Sequence, residues 1–188
     1  MGASNPGAPW GPMLVRSLVA AVYGVLTIFW QDPTEPVLAY AGGAFLLLSG
    51  AALLPMLAPA RGHGSVRTLL LAEAAAYVLA GAATLLLASA ETFRVAAAAA
   101  LILGGIVEIF LWTKQRGAFL PARDWLITGA ASLVSGLMVP LVYGLGVRAL
   151  LGVTGGAAVI IAVIVSISAL GARHDSRTAA QEQAKAVN

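Results

Sequence analysis

The sequence predicts an all-α, polytopic membrane protein: six transmembrane helices built as three repeated helical hairpins with a period of about 55 residues. Three observations carry that prediction. Composition is the first: hydrophobic residues make up 60% and charged residues 10%, with a mean hydropathy of +0.90, whereas a soluble domain carries roughly 25% charge. The second is the run pattern, six apolar stretches each about 20 residues long, the length needed to cross a bilayer as a helix. The third is internal repetition. Gly24, Gly81 and Gly136 fall at corresponding places in the first helix of each pair. Gly42, Ala97 and Gly152 are spaced 55 apart in the second helix, as are Gly50, Gly105 and Ile160.

The elements follow in order. Residues 1–12 are rich in Gly and Pro and uncharged, and read as a flexible tail ending at an interfacial Trp10. Apolar runs occupy 13–30, 37–58, 68–90, 93–113, 125–143 and 147–171, which pair into hairpins 13–58, 68–113 and 125–171. The first run is an uncleaved span rather than a signal peptide: Arg16 lies inside it, and it ends in Phe29-Trp30-Gln31-Asp32-Pro33 with no small-residue cleavage site. Residues 172–188 read as a polar, mobile tail, helical at most around Ala179–Ala186. In 188 residues, six spans leave no room for a sizeable soluble domain. Cysteine is absent, which removes disulfides and thiolate metal ligands.

Loop lengths alternate, and so does charge. Links within a hairpin are short: Gln31–Pro36, Glu91–Thr92 and Gly144–Gly146. Links between hairpins are longer and basic. One face therefore collects Arg16, Arg61, Arg67, Lys114, Arg116, Arg123, Arg173, Arg177 and Lys185, and the other only Arg94 and Arg148. By the positive-inside bias both termini should be cytoplasmic, with Asp32, Glu35 and Glu91 outside; the heavy use of Ala, Gly and Arg over Lys suggests a bacterial source. The net charge of +3 suits anionic lipid headgroups and does not call for nucleic acid.

Small residues at Ala20/Gly24, Ser132/Gly136 and Gly152/Gly156 stand four apart, as helices that approach closely require. With Gly50, Gly81 and Gly105 they form the expected packing set. The Gly152–Gly156 stretch suits either an internal helix or a second copy of the chain. Pro55 and Pro140 should kink or end their helices.

Three charges inside the spans hold the most chemistry. Arg16 and Glu73 each precede their hairpin glycine by eight residues, with Thr128 in the third copy, and Glu108 lies at similar depth in the fourth span. An unpaired ionisable group at that depth costs a few kcal/mol, so Arg16 is expected to meet Glu73, Glu108 or both. Two carboxyls beside one guanidinium cannot both be fully neutralised, and crowding with desolvation favours the protonated form of one of them. Three readings stay open: a static ion-pair network, snorkelling of Arg16 and Glu73 toward the headgroups, or a proton-sensing or proton-relay site. The span centres hold few polar groups beyond Thr27, Thr84 and Ser135, which disfavours a wide hydrophilic pathway.

Other candidates are weaker. No histidine pair has ligand spacing, so no metal, cofactor or catalytic residue is expected. Gly42-Gly43 and Gly104-Gly105 lie inside apolar helices, not after strands, so a phosphate-loop reading fails. Trp10, Trp30, Trp112 and Trp125 fall near span ends as an aromatic belt.

The chain also resembles the HdeD-like bacterial membrane proteins. The resemblance lies in Arg16-Ser17, Tyr23-Gly24-Val25-Leu26 and Phe29-Trp30 with Pro33, then in Glu73 followed by Ala80-Gly81. It continues in Leu103-Gly104-Gly105-Ile106-Val107-Glu108-Ile109 and Leu151-Gly152-Val153, covering about 13–170. Departures are Ala88-Ser89-Ala90 in place of an aromatic–proline pair, Pro140-Leu141-Val142-Tyr143 at the third tip, and Ile160 where a glycine is expected. The resemblance implies a non-enzymatic six-span inner-membrane protein linked to acid or envelope stress tolerance. The alternatives are an accessory or scaffold subunit of a larger membrane complex and, last, a small oligomeric transporter or channel. Expected partners are the lipid bilayer and either a homo-oligomer or a larger membrane protein.

Overall fold

The computed structural model describes residues 10–58, 60, 64–114 and 122–187. Arg61, His63 and Arg116 of the basic links lie outside the described residues. Six helices follow one another: α1 (Trp10–Phe29), α2 (Glu35–Leu53), α3 (Gly64–Leu87), α4 (Ala90–Lys114), α5 (Ala122–Val142) and α6 (Val147–Val187). Each is long and apolar enough to cross a membrane.

Local chemistry explains most boundaries. The Pro12 ring is tolerated in the first turn of α1, where no intrahelical N–H bond is lost, so that helix starts at Trp10 instead of residue 13. Pro36 and Glu35 open α2 in the same way, the carboxylate complementing the helix N-terminus. At Pro55 the helix tightens into a 3₁₀ turn, Leu54–Leu57. Pro140 sits inside α5 two residues before its end, and a second 3₁₀ turn, Tyr143–Leu145, follows. The α3–α4 turn is tight: Ala88 adopts φ 47°, and Ser89 caps α4 by accepting the Thr92 backbone N–H at 3.1 Å.

The polar end of the chain departs from expectation. Helix α6 does not stop near residue 171 but runs unbroken through the expected mobile tail to Val187. At 41 residues it is about 60 Å long, roughly twice the hydrocarbon thickness. Ala, Gln, Glu, Lys and Arg are adequate helix formers when solvated, so loss of hydropathy does not end the helix.

The helices close into a ring in chain order, α6 returning against α1, while α2 also reaches inward to α4 and α6. Closure is visible at both ends of the α1–α6 pair. Arg173 stacks its guanidinium over Trp10, 5.3 Å from the ring centre, and Arg148 bonds Asp32 at 3.4 Å at the opposite end. Between them the Tyr23 and Thr154 hydroxyls share a 2.8 Å hydrogen bond. Exposed Leu18, Val22, Leu79, Leu86, Val95 and Ile167 coat the outside, an apolar surface that suits lipid and would aggregate in water.

The closest packing lies between successive hairpins, not within them: α2 on α3, α4 on α5, and α6 on α1. Glycine makes the first two possible. A Cβ at Gly50 would lie 2.7 Å from the Ala74 carbonyl and 2.9 Å from the Val78 nitrogen, and one at Gly105 would lie 2.7 Å from the Gly129 carbonyl and 2.6 Å from the Leu133 nitrogen. Those partners stand 55 residues apart in each case. Gly81 and Gly136 answer from the other side, against the backbone nitrogens of Leu47 and Ile102, again 55 apart. The α6–α1 interface uses another register: Gly24 packs on Val159, with the Gly155 carbonyl 3.5 Å from where its Cβ would stand, and Gly155 packs on Thr27. Ile160 points outward, so its bulk does not obstruct this interface. Gly152 and Gly156 differ from the expected packing set, because a Cβ at either would face open space and, among the described residues, meet no other helix.

Candidate functional site

The three intramembrane charges converge. Arg16 on α1, Glu73 on α3 and Glu108 on α4 are 8%, 0% and 1% exposed, so none of them snorkels to the surface. The ring places α1, α3 and α4 around one interior point near the end of the bundle where α1 and α3 begin and α4 finishes. The Arg16 Nη2 donates to Glu108 Oε1 in a buried ion pair. Glu73 stands beside this pair, close enough for both partners to act on it electrostatically. No donor is directed at either buried Glu73 carboxyl oxygen or at Glu108 Oε2, and the two carboxyl groups stand close enough to share a hydrogen bond when one of them carries a proton.

The surroundings are shaped for these side chains. Tyr77 lies one turn beyond Glu73 on α3, and its ring rests on Gly104, where a Cβ would lie 2.6 Å from Cε2. Gly129 on α5 leaves room for Glu108, its virtual Cβ 2.9 Å from the Glu108 Cβ. Ser132 of α5 sits by Tyr77. A cavity of about 10 Å³, the room one water needs, is walled by Arg16, Ser49, Glu73 and Tyr77 with Phe45 of α2 and Ile161 of α6. A second, equally small cavity on the other side of Arg16 is lined by Thr128, Asp124 and Trp125. Thr128, the third-repeat counterpart of Arg16 and Glu73, thus faces the same interior, with its hydroxyl donated to the Asp124 carbonyl at 3.0 Å.

Comparison with protein-family models, curated proteins and solved structures finds no match. The geometry alone therefore speaks for this site.

Gly104 and Gly129 were not singled out in the sequence as cluster residues, yet each makes room for a cluster side chain. The signal was present: Gly104 adjoins the packing glycine Gly105, and Gly129 is four residues before Leu133, whose backbone meets Gly105. Trp125 is a correction. It is 2% exposed and packs inside the bundle beside Arg16 instead of standing in an aromatic belt; Trp10 and Trp30 are exposed as a belt requires. Among the described residues, no three His, Cys, Asp or Glu side chains group as metal ligands would. His174 is exposed on the projecting part of α6.

Chemically, the arrangement couples one guanidinium to two carboxyls in a setting without bulk water. Arg16 and Glu108 cancel each other. A third charge on Glu73 would stand without a partner, and isolated buried charges are neutralised by a proton whenever one is available.

Proposed function

We propose that this chain is a non-enzymatic integral membrane protein of the HdeD-like type in a bacterial cytoplasmic membrane, with both termini inside. Its Glu73 responds to protons and contributes to acid or envelope stress tolerance. One observation carries the reading: a fully buried carboxyl to which no donor is directed stands beside the Arg16–Glu108 ion pair, whose one guanidinium is shared with two carboxyl groups. The trio is neutral with one proton on Glu73 and carries one negative charge without it. The three-hairpin repeat belongs to the same proposal. It is supported by the α2–α3 and α4–α5 interfaces, whose backbone contacts correspond at a spacing of 55, and by the Arg16/Glu73/Thr128 positions sharing one interior.

The test is survival at low pH in cells carrying the wild type or Glu73→Gln, with membrane abundance of the protein measured alongside. The reading expects Glu73→Gln to abolish protection at unchanged abundance. Full protection with Glu73→Gln contradicts it. A fall in abundance matching the loss of protection assigns Glu73 a purely structural role.

A second reading, an accessory or scaffold subunit, draws on the outward Gly152/Gly156 face and the end of α6 that extends beyond a bilayer's thickness. Nanodisc purification with mass spectrometry tests it: a stoichiometric membrane partner supports it, and a lone monomer or homo-oligomer counts against it.

A further inference from the structure

The six neighbouring helix pairs are not equally closed. α1 and α2 make the sparsest contact of the ring, and a groove of about 310 Å³ opens between them. Its lining is almost wholly apolar, with Leu18, Val22 and Leu26 from α1 and Ala41, Phe45 and Leu48 from α2. These residues lie well inside their spans, so the groove opens sideways into hydrocarbon and not into water. Its floor is the stacked pair Tyr23 and Phe45, ring centres 4.2 Å apart and nearly parallel.

Phe45 lines both the groove and the small cavity walled by Glu73. One residue therefore belongs to both the wall of a lipid-facing groove and the wall of a cavity beside a buried carboxyl to which no donor is directed. A molecule suited to both spaces needs an apolar body for the groove and a head that donates to, or cancels, one negative charge. Charge selects the head. Arg16 is already held by Glu108, so the groups facing Glu73 from α1 and α4 cancel, and Tyr77 on its own helix is neutral. The cavity walls contributed by α2 and α6 are Phe45, Ser49, Leu53 and Ile161, none of them charged. The uncompensated charge is that of Glu73 alone, and the aromatic floor favours a cation as well.

We propose that the α1–α2 groove and the Glu73 cavity together form a binding site for a monovalent lipophilic ammonium, which enters from the bilayer past Phe45 and exchanges with the Glu73 proton. The step balances: protonated Glu73 and R–NH₃⁺ become Glu73 carboxylate paired with R–NH₃⁺, and one proton leaves. This inference rests on the reading of Glu73 as the proton-carrying carboxyl and adds its ligand class.

The experiment uses the full chain in nanodiscs and three probes with one body: 4-phenylbutylammonium, 4-phenylbutanol and 4-phenylbutyrate. Binding is followed by equilibrium dialysis, and proton release in weakly buffered medium. The expected result is saturable binding of the amine with close to one proton released per amine. The alcohol and the carboxylate should bind at least about tenfold more weakly, and Glu73→Gln should weaken the amine by a similar factor, as loss of a desolvated charge pair requires. Equal binding of amine and alcohol, or amine binding unchanged by Glu73→Gln, overturns the inference. Infrared spectroscopy of the same samples separates the two failures. A protonated Glu73 band without amine binding removes the ligand and leaves the proton reading standing, whereas absence of that band removes both.

Discussion

Glu73 and Glu108 lie in one cluster, yet the structure gives them unlike tasks. Glu108 holds Arg16, and Arg16 has no other acidic partner in its ion pair. Glu108→Gln therefore removes the hydrogen-bonded partner of a buried guanidinium and leaves only the neighbouring Glu73 to balance it, and it should destabilise the protein by up to about 3–5 kcal/mol. Glu73→Gln substitutes a neutral group of the same shape for a carboxyl that is neutral when protonated, and its cost should stay within about 1 kcal/mol. Thermal unfolding of the two variants in nanodiscs checks the difference; equal losses would mean that Arg16 is shared evenly. The cluster was legible from sequence because charges inside apolar runs must find partners. Which carboxylate takes Arg16 was not, since both lie at similar depth and only the ring geometry brings α4 to α1's guanidinium. Trp125 departs from the aromatic-belt expectation for a related reason: a tryptophan near a span end looks the same in sequence whether it turns outward or inward.

At the level of elements, the glycines sort into two kinds. Gly105 lies where a Cβ would collide with the backbone of α5, and backbone cannot swing aside. Gly105→Ala should destabilise by about 1–3 kcal/mol. Gly152 and Gly156 face open space, so alanine there should change the stability of the monomer by no more than about 0.5 kcal/mol. Unfolding of matched variants distinguishes the two kinds, and a large loss at Gly152 would point to a contact outside this chain. Span number and approximate limits could be read from hydropathy alone. The α3 start could not, because Gly64-Ser65-Val66-Arg67 is polar enough to read as loop yet compatible with a first helical turn. The long end of α6 escaped notice for the same reason. Hairpins look like natural units in the sequence, but the glycines lie on the faces by which hairpins meet one another, so the tightest packing runs between them.

Across the whole molecule, the even number of spans puts the start of α1 and the end of α6 on one face, and ring closure sets Arg173 over Trp10 there and Asp32 near Arg148 at the other. In the orientation we propose from the charge count, the first face is cytoplasmic. The chain has no cysteine, so single replacements report cleanly. In intact cells stripped of the outer barrier, Asp32→Cys and Gln31→Cys should react with a membrane-impermeant thiol reagent, and His174→Cys only after the membrane is opened. The reverse pattern would invert the topology and place the cluster near the outer surface, where it would meet external protons first.

The central claim is that Glu73 carries a proton which it gives up and regains inside the bundle. The most direct measurement is the pH-difference infrared spectrum of the wild type and Glu73→Gln in nanodiscs. The account predicts a carboxylic C=O band from a buried group that changes with pH and is missing in Glu73→Gln. A spectrum without that band, or one in which Glu73→Gln leaves it unchanged, would contradict the account and make the cluster a fixed structural tie.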